Sequence, residues 1–279
     1  MQLKQVTIFA IARRLMLATT AVMGLLTLPF PKILLAQEAY GSGVKGDFTT
    51  RYGDPGAELL RSFFFRFESD DHPLQTIAAH PVGNSNIEIS FADRDPTSND
   101  DKYDYDVISQ PLKNSAILLR SASQNLCFTY CYLDDPKLND SNYVFVLRGF
   151  KFTYARDDFA IKKIMISKEG GAIDVELHDR SGRNQFAIVV DYALVPRELV
   201  ASTNSITGVV RGSTRRSVSA GTAVLSGFAL EYLDDDYRMR EFGILARQPV
   251  NPGPNIEIYF SDNSQSRRFS YKVDYALLR

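Results

Sequence analysis

Beyond residue 40, apolar and polar residues alternate along most of the chain, and the alternation comes in three matching sets. One copy runs from Leu225 to Tyr232, with Phe228, Leu230 and Tyr232 on one face. Phe63, Phe65 and Phe67 repeat it, as do Phe150, Phe152 and Tyr154. A period of two residues is the pattern of a strand with one face buried. Leu60, Leu147 and Leu225 stand out of phase with those rings, and Ser62, Gly149 or Gly227 sits just before the first ring. An extra residue there predicts a β-bulge, which lets the Leu and the rings reach the same core.

Each set continues alike. Ile77 and Ala79 match Ile164 and Ile166, and Phe242 and Ile244. The next strand is Ile87–Phe91, Ile173–Leu177 or Ile256–Phe260, and the last is Tyr103–Val107, Phe186–Val190 or Phe269–Val273. Asp-Tyr-Ala-Leu follows in two copies, at 191–194 and 274–277. Clusters such as Gly170-Gly171 and Asn251-Pro252-Gly253-Pro254 separate the strands at the spacing of an all-β sandwich or barrel. Only 196–200 reads as a helical turn. The expected fold is all-β: three tandem antiparallel β-sandwich-like repeats of about five strands each, packed as one compact array. The repeats cover 38–112, 113–203 with an insertion at 113–146, and 204–279. Phe186–Val190 is apolar on both faces, so the middle repeat is expected to be covered by its neighbours.

Residues 1–37 contain no acidic residue and carry Lys4, Arg13 and Arg14 before an apolar run from Leu15 to Leu28. That is the layout of an export signal that is removed from the mature protein. Arg13-Arg14 resembles a twin-arginine signal, with an ordinary secretory signal and an uncleaved anchor as the alternatives. The expected location is therefore periplasmic, extracellular or on the cell surface. Four of the 32 basic residues fall in this leader, against 33 acidic residues elsewhere, so the remainder is mildly acidic. That excludes nucleic acid as an expected partner. No later segment is long and apolar enough to span a membrane.

The only cysteines are Cys127 and Cys131. An oxidising compartment favours a small-loop disulfide between them. In a regular strand their Cα atoms would lie ~13 Å apart, so a bridge requires a turn. Two reduced, buried thiols are the alternative.

The candidate ligand positions are the paired acids that follow the aromatic strand with a ring or imidazole after them. These are Asp70, Asp71 and His72; Asp157 and Asp158; and Asp235, Asp236 and Tyr237. Acids beside a ring suit sugar binding, whereas the simplest structural role is a shared turn. Glu88, Asp174 and Glu257 fall on the outward phase of their strands. No cofactor is expected except calcium, for which Asp93, Asp95, Asp100 and Asp101 are candidate ligands in a loop without EF-hand spacing. His72, His80 and His178 form no catalytic motif. The functional expectation is an exported, non-catalytic β-repeat binding protein for glycans or a cell-surface component. A structural or self-assembling envelope protein and a carboxylate-dependent hydrolase are the alternatives.

Overall fold

The structure, a computed structural model, describes residues 37–43, 48–51, 57–68, 72–82, 86–92, 102–154, 160–182, 184–247 and 254–279, all within one compact unit. The leader and Asp70, Asp71, Asp157, Asp158, Asp93, Asp95, Asp100 and Asp101 lie outside these residues. The first repeat supplies β1 (Gln37–Gly43), β2 (Phe48–Arg51), β3 (Ala57–Phe67), β4 (Thr76–Val82), β5 (Asn86–Ala92) and β6 (Tyr103–Leu112). The second supplies β7 (Leu118–Phe128), β8 (Tyr130–Asp134), β9 (Tyr143–Tyr154), β10 (Lys163–Glu169), β11 (Ala172–His178) and β12 (Gln185–Pro196). The third supplies β13 (Val200–Arg211), β14 (Ser213–Ser217), β15 (Thr222–Tyr232), β16 (Glu241–Arg247), β17 (Asn255–Ser261) and β18 (Arg268–Leu278). Two 3-10 turns, Pro136–Asn139 and Arg197–Leu199, complete the described elements, and no helix among them is long and apolar enough to cross a membrane.

The strands make three antiparallel six-stranded layers. Sheet I runs β1-β6-β3-β16-β17-β14, sheet II runs β7-β12-β9-β4-β5-β2, and sheet III runs β13-β18-β15-β10-β11-β8. Strand pairing links sheets II and III through one residue pair, Phe128 with Tyr130. The all-β expectation holds, but the repeats are not self-contained sandwiches. Each places its first, sixth and third strands in one sheet and its fourth, fifth and second in the next, so every sheet is shared by two repeats. Alternation along a strand says which face is buried and is silent about which strand lies beside it.

The three equivalent rings Phe63, Phe150 and Phe228 meet one another with centroids 4.9, 5.3 and 5.4 Å apart, on the pseudo-threefold axis of the shared core. The bulges fall where expected, with register shifts between Leu60 and Ser62, at the pairing of Asp191 and Tyr192, and between Leu225 and Gly227. Leu60, Leu147 and Leu225 thereby join the rings in the main core. The small residue that follows has its own cause: a Cβ on Gly149 would lie 2.4 Å from the Ala79 carbonyl oxygen and 2.5 Å from His80 Cα. Past the bulges the long strands bury both faces. Ala193 and Val195 enter a second cluster with Leu59, Val224 and Leu278 from the other repeats.

Repeat two differs locally. β7 and β8 occupy the places that β13 and β14 take in repeat three, so the extra chain is the 3-10 turn and its flanks at 135–142. Asp135 caps that turn by accepting the Lys137 N–H, and its carboxylate also receives Arg120 and the Tyr192 hydroxyl. Burial first, and then that hydrogen bond, push the Tyr192 hydroxyl up to about 12.

Candidate functional site

Of the candidate positions after the aromatic strands, the described ones, His72, Asp235, Asp236 and Tyr237, act as clasps between repeats. His72 exchanges backbone hydrogen bonds with Met239 of repeat three, and its ring packs 4.6 Å from Phe67. Tyr237 does the same with Ile161 of repeat two, with its ring 4.9 Å from Tyr232 and under the Arg267 guanidinium. Asp235 accepts the Asp236 N–H and pairs with Arg180 at 3.0 Å, and Asp236 accepts the Arg180 N–H. These acids turn the chain and tie it to the next loop. Among the described residues, no three His, Cys, Asp or Glu side chains come together as a metal site.

Cys127 and Cys131 are joined, with Cα atoms 5.5 Å apart. The turn this requires is Thr129, whose φ is 62°. Its counterpart between β13 and β14 is Gly212 at φ 63°, so the same left-handed residue makes both corners. The Thr129 hydroxyl donates to the Gly182 carbonyl at 2.6 Å, which helps a β-branched residue hold that conformation. Around this corner three rings face solvent: Phe128 is 56 % exposed, Tyr130 56 % and Tyr132 60 %. At the matching places beside Gly212 the chain has Arg211, Ser213 and Arg215. The aromatic corner therefore belongs to repeat two, and no fold requirement shared by the repeats explains it.

Register connects this corner to the outer face of sheet III. Tyr132 pairs with Asp174, and Asp174 with Ser167. Ser167 Cα approaches Gly227, which pairs with Asp274. Asp274 in turn pairs with Ser205 on β13. At the far end is a cleft of about 650 Å³ between the 3-10 turn 136–139 and β13, β15 and β18, lined by Asp140, Lys168, Arg197, Asn204, Lys272 and Asp274, among others. From β8 to β13 the strip crosses five strand spacings, about 24 Å.

The same row exists in the other two sheets. Glu88, Asp174 and Glu257 are equivalent, and all lie on the outward side as their phase predicts. They are nonetheless buried, at 8, 8 and 5 % exposure. In sheet I, Arg215 lies opposite Glu257 and pairs with it, and the Tyr259 hydroxyl donates to the same carboxylate at 2.9 Å. In sheet II, His80 bridges two acids, with Nε2 2.6 Å from Glu88 and Nδ1 3.1 Å from Asp191, while Lys151 pairs with Glu88. Burial opposes the charge on His80, but the hydrogen bonds to Asp191 and Glu88 outweigh it and raise its pKa to about 9. Glu88, likewise buried, is pulled down to about 2 by His80 and Lys151.

In sheet III both small counterparts lack charge: Ser167 stands where His80 does, and Ala229 where Lys151 does. The two acids remain as Asp174 and Asp274. Asp274 has a surface ion pair with Lys272 at 3.1 Å. Asp174 Oδ1 is buried with no hydrogen-bond partner among the described residues. Burial first, and then Glu176 and Glu169, raise its pKa above the ordinary carboxylate value, against the smaller opposing effects of Lys163 and the Val175 N–H. The sequence marked Asp174 as outward, but that no cation bonds its Oδ1 depends on cross-strand neighbours that alternation does not assign.

Chemically the strip can stack on a flat or weakly polar ligand surface at Tyr130 and Tyr132, accept hydrogen bonds at Asp174 and Asp274, and offer cations at Lys168, Arg197 and Lys272. Both acids that line the cleft have partners within the chain. Asp140 accepts from Asn142 through both the backbone and the side-chain nitrogen, and Asp274 holds Lys272. His80, with both ring nitrogens engaged inside sheet II, is a tie between repeats one and two. Compared with known proteins, the chain matches no family model and no curated protein.

Proposed function

We propose that the protein is an exported, non-catalytic binding protein that recognises a glycan or another cell-surface component along the outer face of sheet III, entered from the β7–β8 corner. The observation that carries this reading is the group of Phe128, Tyr130 and Tyr132, solvent-facing on a corner held by a disulfide, at positions where repeat three has Arg211, Ser213 and Arg215. Solvent-exposed rings on a rigid element offer contact area at low ordering cost, with a hydroxyl for hydrogen bonding. Isolated exposed apolar residues are ordinary, but a cluster of large ones beside polar acceptors marks an interaction surface. The strip is long enough for an extended chain of several sugar units, and the disulfide supports an oxidising compartment.

We place the contact on repeat two, where the exposed rings are; of the acid-and-ring positions, the described ones, His72 and Asp235 to Tyr237, are engaged as clasps. The test is a glycan array probed with protein lacking residues 1–37, alongside Tyr132→Ala. Binding of a defined glycan group that weakens at least tenfold in Tyr132→Ala, with an unchanged melting temperature, is the expected result. Binding that is indifferent to Tyr132, or none to any glycan or isolated surface fraction, would leave the scaffold reading in its place.

A further inference from the structure

Internal symmetry supplies a control for each residue of the strip. Two of the three sheets fill the space beside the buried acid with a cation from the chain, Arg215 in sheet I and His80 with Lys151 in sheet II. Sheet III keeps the acids Asp174 and Asp274 at the places of Glu88 and Asp191, but has Ser167 and Ala229 at the places of the imidazole and the ammonium. Asp174 is over nine-tenths buried, and its Oδ1 lacks a partner. A buried carboxylate in that state is costly unless a donor reaches it.

We infer that the outer face of sheet III binds a guanidinium group between Asp174 and Asp274, in the position that the His80 ring fills in sheet II. A guanidinium has the required chemistry. It is planar, carries donors on opposite edges that can serve two carboxylates at once, stays charged, and stacks on aromatic faces. Tyr132 lies directly across from Asp174 and is exposed enough to provide that face. Lys272, half exposed, leaves Asp274 for solvent when the ligand arrives. This inference stands apart from the glycan reading, since the probe below contains no sugar and the two can fail separately.

The experiment is a melt of the protein at neutral pH with butylguanidinium, and with butylurea as the neutral analogue of the same shape. The wild type is expected to gain about 3–6 °C at ten times the dissociation constant, saturably, with butylguanidinium only. Asp174→Asn removes that gain. Ser167→His installs the ring that sheet II already has, so it raises the ligand-free melting temperature and also abolishes the ligand response. A second arm uses acetyl-arginine methylamide. An equal gain there assigns the group to an arginine side chain of a protein partner, and a gain confined to butylguanidinium assigns it to a small molecule. No gain in the wild type, the same gain in Asp174→Asn, or a Ser167→His protein that still responds would overturn the inference.

Discussion

His80 shows how one side chain can make a seam between repeats depend on pH. Its ring joins β4 of repeat one to β12 of repeat two, and the facing groups are Asp191, Glu88 and Lys151. The folded pKa is raised from 6.5 to about 9, so the contribution is fully present below 6.5, where both folded and unfolded forms are protonated. It declines as pH rises from there and is gone above about 9. The shift corresponds to about 3 kcal/mol, or a fall in melting temperature of about 6–12 °C between pH 6 and pH 10. Glu88, lowered to about 2, protects the same cluster on the acid side and gives way only as pH falls toward that value. Glu58 complicates the middle of the range, since burial raises it to about 7 and stability also falls between 4.5 and 7 on its account. The comparison that isolates His80 is the melting curve of His80→Gln against wild type across pH 6 to 10. The variant is expected to start lower and to lack the decline between 7 and 9, while an unchanged decline would remove His80 as its source.

At the scale of elements, the β7–β8 corner is where a strand leaves one sheet and enters the next, and the disulfide closes it over three intervening residues. So short a loop restrains the unfolded chain by about 2 kcal/mol in the loop-entropy account. Cys127→Ser with Cys131→Ser is therefore expected to melt about 4–8 °C lower. Binding by Tyr132 should weaken more than stability, because Tyr130 and Tyr132 keep their aim only while the corner is rigid. An unaltered melting temperature would show that Thr129 and its bond to Gly182 set the corner unaided. Much of this was legible in the sequence. The need for a turn between the cysteines follows from strand length, and the bulge follows from Leu60 and Phe63 being out of phase yet both apolar. The clasp role of His72 and Tyr237 was legible only as a shared turn, because their partners Met239 and Ile161 lie in other repeats. Asp174 was visible as an outward acid; that no cation bonds its Oδ1 was not, since Arg215, His80 and Tyr132 become its comparators only once three separate registers are known.

For the whole compact unit, the decisive fact is that no repeat owns a complete sheet. Repeat three places β15 against β10 of repeat two and β16 against β3 of repeat one. Its Phe228 completes the ring cluster with Phe63 and Phe150, rings whose deletion from a core costs about 3–5 kcal/mol each. Three matching sets of alternating strands announced the symmetry but not this exchange, because a self-contained sandwich and an exchanged one bury the same residues. The two arrangements diverge when a repeat is isolated. Residues 204–279 alone would expose the partner edges of β15 and β16 and the inner faces of Phe228, Phe242 and Phe260, which is more apolar surface than so small a chain can leave open and remain folded. The expected outcome is an unfolded monomer by circular dichroism, or a trimer by light scattering in which three copies take the places of the three repeats. A folded, monomeric 204–279 with native-like cooperativity would mean that the exchange between repeats is dispensable and that the shared ring cluster does not hold the fold together.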